Sequence, residues 1–175
     1  RRSNAFERVA KECTAVREGV GLLDISGFSR FEVTGPNAQA WLSHVMAGRL
    51  PAPGRARLAP MLAPSGRLKG DLTLFNWGDG CWWIMGSYYL RSWHMRWFDD
   101  HRHDGVDVRD VSDAMVGFGL AGPKSREVLS ALTHHDIDAE LPFMGCATMD
   151  VGLIRAKVAR LSVGGELGYD INCSA

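Results

Sequence analysis

Asp71 is the leading candidate in this sequence for a catalytic or ligand-binding carboxylate. It follows Gly70 at the end of a Gly-bounded stretch, Pro64 to Gly70, and it precedes the run Leu72 to Phe75. That run alternates apolar and polar residues, which predicts a half-buried strand beginning at Asp71. Aspartate is uncommon in strands. Two readings stay open on these residues: Asp71 closes the Gly70 turn through an Asx-type hydrogen bond, or it supplies a fixed negative charge to a pocket.

Glu166 is the second candidate, and it stands among glycines near the end of the chain. Gly164, Gly165 and Gly168 fall within five positions of one another, directly after a strand-like run over 156–163. Glycines let the backbone turn sharply and let a ligand approach closely. The alternative is a plain hairpin turn that carries an exposed Glu166. Any chemistry is therefore expected to rest mainly on Asp71, Glu166, the nearby Arg160 and the ligand that they hold.

Composition excludes several other classes of function. Lys plus Arg and Asp plus Glu both number 20, so no basic surplus indicates a nucleic-acid partner. No apolar run approaches the roughly 18 residues of a membrane span. The four cysteines form no C-x-x-C pair and are expected to be reduced, and the histidines lack metal-ligand spacing, so no metal site is predicted. Dinucleotide, P-loop and nucleophile-elbow motifs are also missing.

Hydrophobic periodicity and turn residues predict an α+β chain. The helix over 88–103 should bury a stripe of Leu90, Trp93, Trp97 and Phe98. Residues 47–60 read as a loop because they contain three prolines, with a possible short strand over 57–62. The remaining elements are helices over 5–18, 39–46 and 125–132, strands over 29–34, 105–111 and 115–121, and a hairpin of 71–77 with 81–85.

The chain also repeats a pattern of strand, Gly-Pro turn and helix. The segment 31–42, with Gly35 and Pro36, matches the segment 118–129, with Gly122 and Pro123, at an offset of 87 positions. This predicts two related subdomains, near 20–105 and 106–175. The alternative is that Gly-Pro is merely a good strand-to-helix turn. Both ends, at Arg1 and Ala175, look cut, so we expect a piece of a longer protein.

With these residues in view, the sequence resembles the aminomethyltransferase (glycine-cleavage T-protein) family over most of its length. Five segments in the right order carry the resemblance: Gly21-Leu22-Leu23-Asp24-Ile25-Ser26, Phe31-x-Val33-x-Gly35-Pro36-x-Ala38, Gly66-x-x-x-Gly70-Asp71-Leu72, Gly122-Pro123-Lys124 and Arg160-x-x-x-x-Gly165-Glu166-Leu167-Gly168-Tyr169. Three further features look most like the folate-binding module of dimethylglycine and sarcosine dehydrogenases: Gly70 before Asp71, Leu141-Pro142-Phe143-Met144 and Asp150-Val151-Gly152.

The resemblance implies a fold, an activity and a set of site residues. The fold would be the N-terminal part of the aminomethyltransferase folate-binding fold, with two related strand–turn–helix subdomains. The activity would be capture of a one-carbon unit from an oxidised N-methyl amine by tetrahydrofolate, with FAD on a separate domain outside this segment. Asp71 matches the catalytic carboxylate and Glu166 the residue that binds the pterin. The cofactor-binding set would also include Tyr169, Arg160, Met61 and Phe28.

The sequence departs from the family pattern at three places, one of which is the lack of the usual aromatic residue near Leu58. T-proteins usually carry two consecutive acidic residues where Gly70 and Asp71 stand, and an asparagine-alanine pair where Gly86 and Ser87 stand. A stand-alone aminomethyltransferase and a non-catalytic folate-binding regulatory or assembly module therefore stay open as alternatives. The expected partners are small molecules, namely the folate and the amine-derived one-carbon unit, with neither nucleic acid nor membrane. The expected location is the bacterial cytoplasm or the mitochondrial matrix.

Overall fold

The computed structural model describes residues 2–175, which form five α-helices, two short 3-10 helices (Tyr88–Leu90 and Ser112–Ala114) and ten strands. The expectation that concerns Arg1 lies outside these residues. In chain order the elements are α1 (Phe6–Glu18), β1 (Gly21–Asp24), β2 (Phe28–Thr34), α2 (Ala38–Val45), β3 (Arg55–Leu62), β4 (Leu68–Asn76), β5 (Trp82–Ser87), α3 (Arg91–Asp100), β6 (Asp107–Asp110), β7 (Met115–Ala121), α4 (Ser125–Ser130), α5 (Ile137–Glu140), β8 (Cys146–Val151), β9 (Ile154–Ala159) and β10 (Gly168–Ser174). None of the helices within this described range is long and apolar enough to cross a membrane.

These elements form two compact units, each built on a five-stranded sheet. The central unit comprises residues 26–116, and its strand order is β3-β4-β5-β2-β6. The terminal unit combines residues 117–174 with the N-terminal residues up to Ile25, and its strand order is β1-β7-β10-β9-β8. The α+β fold expected from the sequence is confirmed.

The terminal unit includes a helix–strand arm from the start of the chain, formed by α1 and β1. Strand β1 pairs with β7 of the terminal unit, although it lies next to β2 in sequence. Correspondingly, β6 pairs with β2 of the central unit, although it lies next to β7 in sequence. The arm α1-β1 thus joins a sheet built mainly by residues 117–174, whereas α3-β6 lies within the contiguous segment 26–116 whose sheet it completes.

The same turn follows β2 and β7. The Asn37 N–H donates to the Gly105 carbonyl at 3.1 Å, and 87 positions later the Lys124 N–H donates to the Gly19 carbonyl at 3.0 Å. Gly35 and Gly122 precede these bonds with φ of 108° and 126°. Both turns therefore fasten the start of a helix to the residues that lead into an edge strand, β6 after Gly105 and β1 after Gly19.

The core of the central unit lies on one face of its sheet, under α2 and α3. Phe98 of α3 meets Phe31 and Trp41 edge-to-face, with ring centroids 5.1 and 5.8 Å away. The Trp41 indole N–H donates to the His101 carbonyl at 2.7 Å, so this buried ring keeps its polar atom paired. Edge-to-face packing together with a satisfied indole fixes α3 against the sheet.

Three local predictions need correction. The predicted loop is shorter, because β3 begins at Arg55, and Pro60 is accommodated on an edge strand where no partner needs its missing N–H. Asp71 lies inside β4 rather than at its start, because Gly70 is itself paired with Met61 and the turn closes earlier, around Gly66.

The buried face of α3 is the third correction. Phe98 is buried as predicted, but Leu90 is 43% exposed and Trp93 is 44% exposed. The residue that joins Phe98 in the core is His94, four positions earlier on the same helix face. The prediction is wrong here because hydrophobic periodicity counts histidine as a polar, exposed residue, whereas His94 is buried.

Candidate functional site

Asp71 lies on the face of the central sheet opposite the core. Its neighbours Gly70 and Leu72 point to the core, and Asp71 itself is exposed, as strand alternation requires. Among the described residues, no hydrogen bond or ion pair of the Asp71 carboxylate is found, so the Asx-type turn reading has no support. The position of this carboxylate is therefore set by the backbone of β4 alone.

A row of residues crosses the sheet at the level of Asp71. Pro60 pairs with Asp71, and Phe28 pairs with Ser87 on the far side. The register of β4 with β5 runs to Thr73 and Met85, and continuing it by two residues leads to Asp71 and Ser87. In-register residues share a face of a sheet, so Asp71, Ser87 and Phe28 face the same side.

An aromatic cleft of about 500 Å³ opens at the end of this row. It is lined by Gly27, Phe28, Ser87, Tyr88 and Tyr89. This volume falls within the range of small-molecule sites, but the cleft is open to solvent and the ring of Tyr89 is fully exposed. Phe28 was predicted as a binding residue, whereas the two tyrosines were not, although an aromatic pair directly after a predicted hairpin strand was the available signal.

Ion pairs fix one wall of this cleft. The Arg91 guanidinium donates to Asp110 through Nε and to Asp113 Oδ2 at 2.7 Å through Nη1, and Nη1 also reaches the Tyr88 hydroxyl at 2.8 Å. The hydrogen bonds to Asp110 and then Asp113 raise the pKa of Arg91. Burial alone would raise the pKa of Asp110, but hydrogen bonds from Arg91 and Ser112 outweigh it and hold that pKa below its usual value. Tyr88 is thus held by a permanently charged partner.

Met61 does not reach this face. Its side chain is 0% exposed and belongs to the core cluster under α2 and α3. It pairs with Gly70, one residue from Asp71, so it lies directly behind the strand that carries the carboxylate. Any influence on a ligand would pass through the packing of β4.

His94 lies behind the same strand. The side chain is 1% exposed, and neither ring nitrogen has a hydrogen bond of normal geometry within the described part of the chain. A Cβ placed on Gly70 would lie 2.9 Å from His94 Nε2, so the imidazole rests directly on the Gly70 backbone. Desolvation lowers the pKa of His94, and the nearby Lys69 backbone opposes that shift only in part.

The lowered pKa of His94 leads to a prediction about stability. An unfolded histidine binds a proton near pH 6.5, while the folded one resists protonation, so the unfolded chain binds more protons in mildly acid solution. The free energy of unfolding should fall below about pH 6.5, by up to about 1.4 kcal/mol per pH unit, and level off above it. Urea unfolding of wild type and His94→Gln across this range measures the effect. Equal pH slopes in the two proteins would contradict it.

Glu166 lies in the glycine turn of the terminal unit. Gly165 has a φ of 93°, and its N–H donates to Ser162 Oγ at 2.8 Å. A Cβ on Gly164 would come within 2.3 Å of Glu166 Oε2, so the absence of a side chain there gives the carboxylate its room. The Glu166 side chain is 19% exposed, and its ion pair with Arg17 is long, at 3.6 Å, to a partner that is 74% exposed. Such a pair is weak and easily exchanged for a ligand.

Tyr169 and Arg160 follow the same turn into the terminal sheet. Tyr169 is 1% exposed, and its hydroxyl accepts from Arg126 Nε at 3.3 Å, a bond that raises the pKa of Arg126. Arg160 is half-buried and donates to the Leu141 carbonyl at 3.4 Å. The predicted site residues therefore fall into two groups: Asp71, Met61 and Phe28 in the central unit, and Glu166, Tyr169 and Arg160 in the terminal unit.

A comparison with protein families decides the identity of the chain, since a profile of the GCVT N-terminal domain matches residues 1–175. The chain belongs to the GCVT N-terminal domain family. The resemblance to aminomethyltransferases inferred from the five segments is thereby confirmed.

Two relatives show how the GCVT N-terminal domain occurs in longer proteins. Mitochondrial dimethylglycine dehydrogenase of Homo sapiens is 30% identical, over 98% of this chain and 20% of that protein. An aminomethyltransferase of Bacillus subtilis is 29% identical, over 96% of this chain and 47% of that protein. The chain thus spans about half of one relative and a fifth of the other.

Solved structures share the fold of this GCVT N-terminal domain. The aminomethyltransferase T of Bartonella henselae superposes with a TM-score of 0.82 at 23% identity, over 94% of this chain and 45% of that one. A chain of the heterotetrameric sarcosine oxidase of Corynebacterium sp. U-96 gives 0.69 at 19% identity, over 99% and 87%. The predicted aminomethyltransferase fold is confirmed.

Proposed function

We propose that this GCVT N-terminal domain takes part in tetrahydrofolate-dependent one-carbon transfer. It would capture the methylene unit of an oxidised N-methyl amine, of the dimethylglycine or sarcosine type, as 5,10-methylenetetrahydrofolate. The rest of the protein would include an FAD-dependent oxidoreductase domain. The names of the relatives support this choice, since dimethylglycine dehydrogenase and sarcosine oxidase stand beside the aminomethyltransferases.

The observation that carries the proposal is the carboxylate of Asp71, which has no partner among the described residues and shares a sheet face with Phe28 and Ser87 of the aromatic cleft. A carboxylate held by internal hydrogen bonds would have its charge already compensated, whereas no hydrogen bond or ion pair from the described residues engages Asp71. It can orient a bound amine, take up its proton, and stabilise positive charge that develops nearby. Structural carboxylates on this unit, such as Asp110, contrast with it because they are fully engaged.

The residues present fit a folate-like ligand by their chemistry. Glu166 offers a carboxylate that can accept two adjacent N–H donors of a pterin in a charge-assisted pair. Phe28 and the two tyrosines of the cleft offer ring faces and edges for an aromatic group. A supporting role is left for Tyr169, Arg160 and Met61, which would stabilise the strands around the ligand. Tyr169 and Arg160 already have hydrogen-bond partners in the protein, and Met61 lies in the core. When bound, tetrahydrofolate supplies the nitrogen that accepts the one-carbon unit.

The two alternatives differ in what the whole protein contains. A stand-alone aminomethyltransferase is favoured by the Bacillus relative, which is nearly as similar as the dehydrogenase. A strand followed by G-x-G-x-x-G and a helix upstream of this chain would identify the flavoenzyme, since that motif binds dinucleotide phosphates. A non-catalytic module would bind folate, but it would not raise the rate of 5,10-methylenetetrahydrofolate formation above the uncatalysed rate.

Folate binding itself tests the role of Glu166. We expect Glu166→Gln to weaken tetrahydrofolate binding by about 1–3 kcal/mol in the full-length protein, because the amide loses a charged acceptor. Calorimetric titration measures the change. Glu127→Gln is the matched control, since Glu127 is an exposed carboxylate on α4 of the same unit. Equal affinities for the Glu166 variant and wild type would remove Glu166 from the site.

A further inference from the structure

Helix α3 packs against strand β4, which carries Asp71, and contacts Lys69 and Gly70 of that strand. We infer that His94 and the Trp93–Trp97 pair of α3 are positioning residues for the Asp71 carboxylate, acting through the backbone of Lys69 and Gly70. This inference rests on the proposed function, because it assigns these residues to the same one-carbon transfer.

The first contact is that of His94 with Gly70. The Nε2 atom lies so close to the Gly70 backbone that a methyl group on Gly70 would meet it at 2.9 Å. The same ring lies 3.7 Å from the Cβ position of Gly86 on the neighbouring strand, measured at Cε1. The imidazole thus fills a hollow that two glycines leave in adjacent strands, and it sets how far β4 can sink towards the core.

The second contact is that of Lys69 with two indole rings. Lys69 Nζ lies 4.7 Å from the ring centroid of Trp93 and 4.8 Å from that of Trp97. Trp97 in turn stacks on His101 with centroids 4.1 Å apart. A cation between two ring faces is attracted to both. Lys69 is therefore tied to α3 two residues before Asp71.

These two contacts matter because Asp71 has no hydrogen-bond or ion-pair partner among residues 2–175. Within this range, the direction of the carboxylate depends on the path of the backbone over 69–72. Leu72, on the other side of Asp71, packs against Gly70 and Gly86. A shift of β4 by a fraction of an ångström would move the carboxylate relative to a bound ligand, and misplacement of about 1 Å can cost about 100-fold in rate.

A double-mutant cycle in the full-length protein tests the inference. His94→Ala removes the ring, Gly70→Ala pushes against it, and in the double variant the new methyl group occupies part of the space that the ring vacated. We expect each single variant to lower kcat of one-carbon transfer by roughly 10–100-fold while the folate KM stays within about twofold. The double variant should lose less than the product of the two single effects. Urea midpoints should show the same non-additivity, independently of activity.

Leu42→Ala is the matched control for loss of core packing. Leu42 is fully buried in the same core cluster, but it lies on α2 rather than on α3, the helix that carries His94. We expect it to lower the urea midpoint at least as much as His94→Ala, with kcat of transfer within about threefold of wild type. If both variants lower kcat in proportion to lost stability, or His94→Ala leaves kcat unchanged, the inference is wrong.

Lys69→Met keeps the test decisive if the His94 variant does not fold. It keeps the length of the side chain and removes the charge between the two indoles, and it is expected to lower kcat of transfer about threefold or more without a change in folate KM. An unchanged kcat would overturn the inference. Asp71→Asn in the same assay separates the two proposals: if it abolishes transfer and the α3 variants do not, only the positioning role fails. If Asp71→Asn has no effect, both fail.

Discussion

Replacing Asp71 by asparagine is expected to lower the formation of 5,10-methylenetetrahydrofolate by roughly 100-fold or more, the usual range for loss of a positioned acid or base. The amide has nearly the same size, and the described part of the chain makes no hydrogen bond or ion pair with Asp71 that would be broken, so the fold should be unaffected. What disappears is a negative charge that can accept a proton and stabilise a cation beside the aromatic cleft. In a dehydrogenase, amine oxidation should continue, and the one-carbon unit should leave as formaldehyde.

The measurement follows two products from one reaction. Amine oxidation is read from reduction of an electron acceptor, and the folate product is separated by chromatography. Asp79→Asn is the matched control, since Asp79 is an exposed carboxylate in the turn between β4 and β5 and its φ of 56° suits asparagine. An unchanged ratio of folate product to oxidised amine in the Asp71 variant would end its assignment as the catalytic carboxylate.

Elements that depend on one local physical rule can be predicted from the sequence. The strand predicted over 115–121 has the same bounds in the structure, because a turn bounds it on each side. The helix before Gly19 ends as predicted, where the Gly19 N–H donates to the Ala15 carbonyl. Asp71 and Glu166 were selected because carboxylates among glycines and strand residues break local preference, which is where function is expected to override it.

The sequence could not show what depends on long-range pairing. The pairing of β1 with β7 and of β6 with β2 cannot be read from the 87-residue repeat, since the repeat is the same whichever sheet each strand joins. The burial of His94 likewise depends on the hollow left by Gly70 and Gly86, which lie on two separate strands. The hydrophobic periodicity of α3 contains no information about glycines on other strands, so it cannot predict that His94 is buried.

The repeated Gly-Pro turn gives the largest expected effect on stability. At Gly35 a Cβ would come within 2.3 Å of the Gly105 carbonyl oxygen, and at Gly122 within 2.4 Å of the Gly19 carbonyl oxygen. These oxygens accept the helix-starting N–H groups of Asn37 and Lys124, so they cannot move away without breaking that bond. An alanine at either position would combine an unfavourable φ with a backbone clash.

Gly48 offers a control in which only the φ is unfavourable. Its φ of 109° is nearly that of Gly35, 108°, and nothing lies within 4 Å of its Cβ position. Gly48→Ala should therefore cost about 1–2 kcal/mol of unfolding free energy from the backbone conformation alone. Gly35→Ala should cost about 1–3 kcal/mol more, because the methyl group must displace a carbonyl that is in use.

Urea unfolding of the two variants isolates the clash as their difference, because both belong to the same unit and change the unfolded chain alike. Gly122→Ala should behave like Gly35→Ala, since it stands at the matching turn of the terminal unit. Equal costs for Gly35→Ala and Gly48→Ala would mean that the turn yields freely. The hydrogen bonds to Gly105 and Gly19 would then be incidental, rather than the contacts that hold the start of each helix to the residues before β6 and β1.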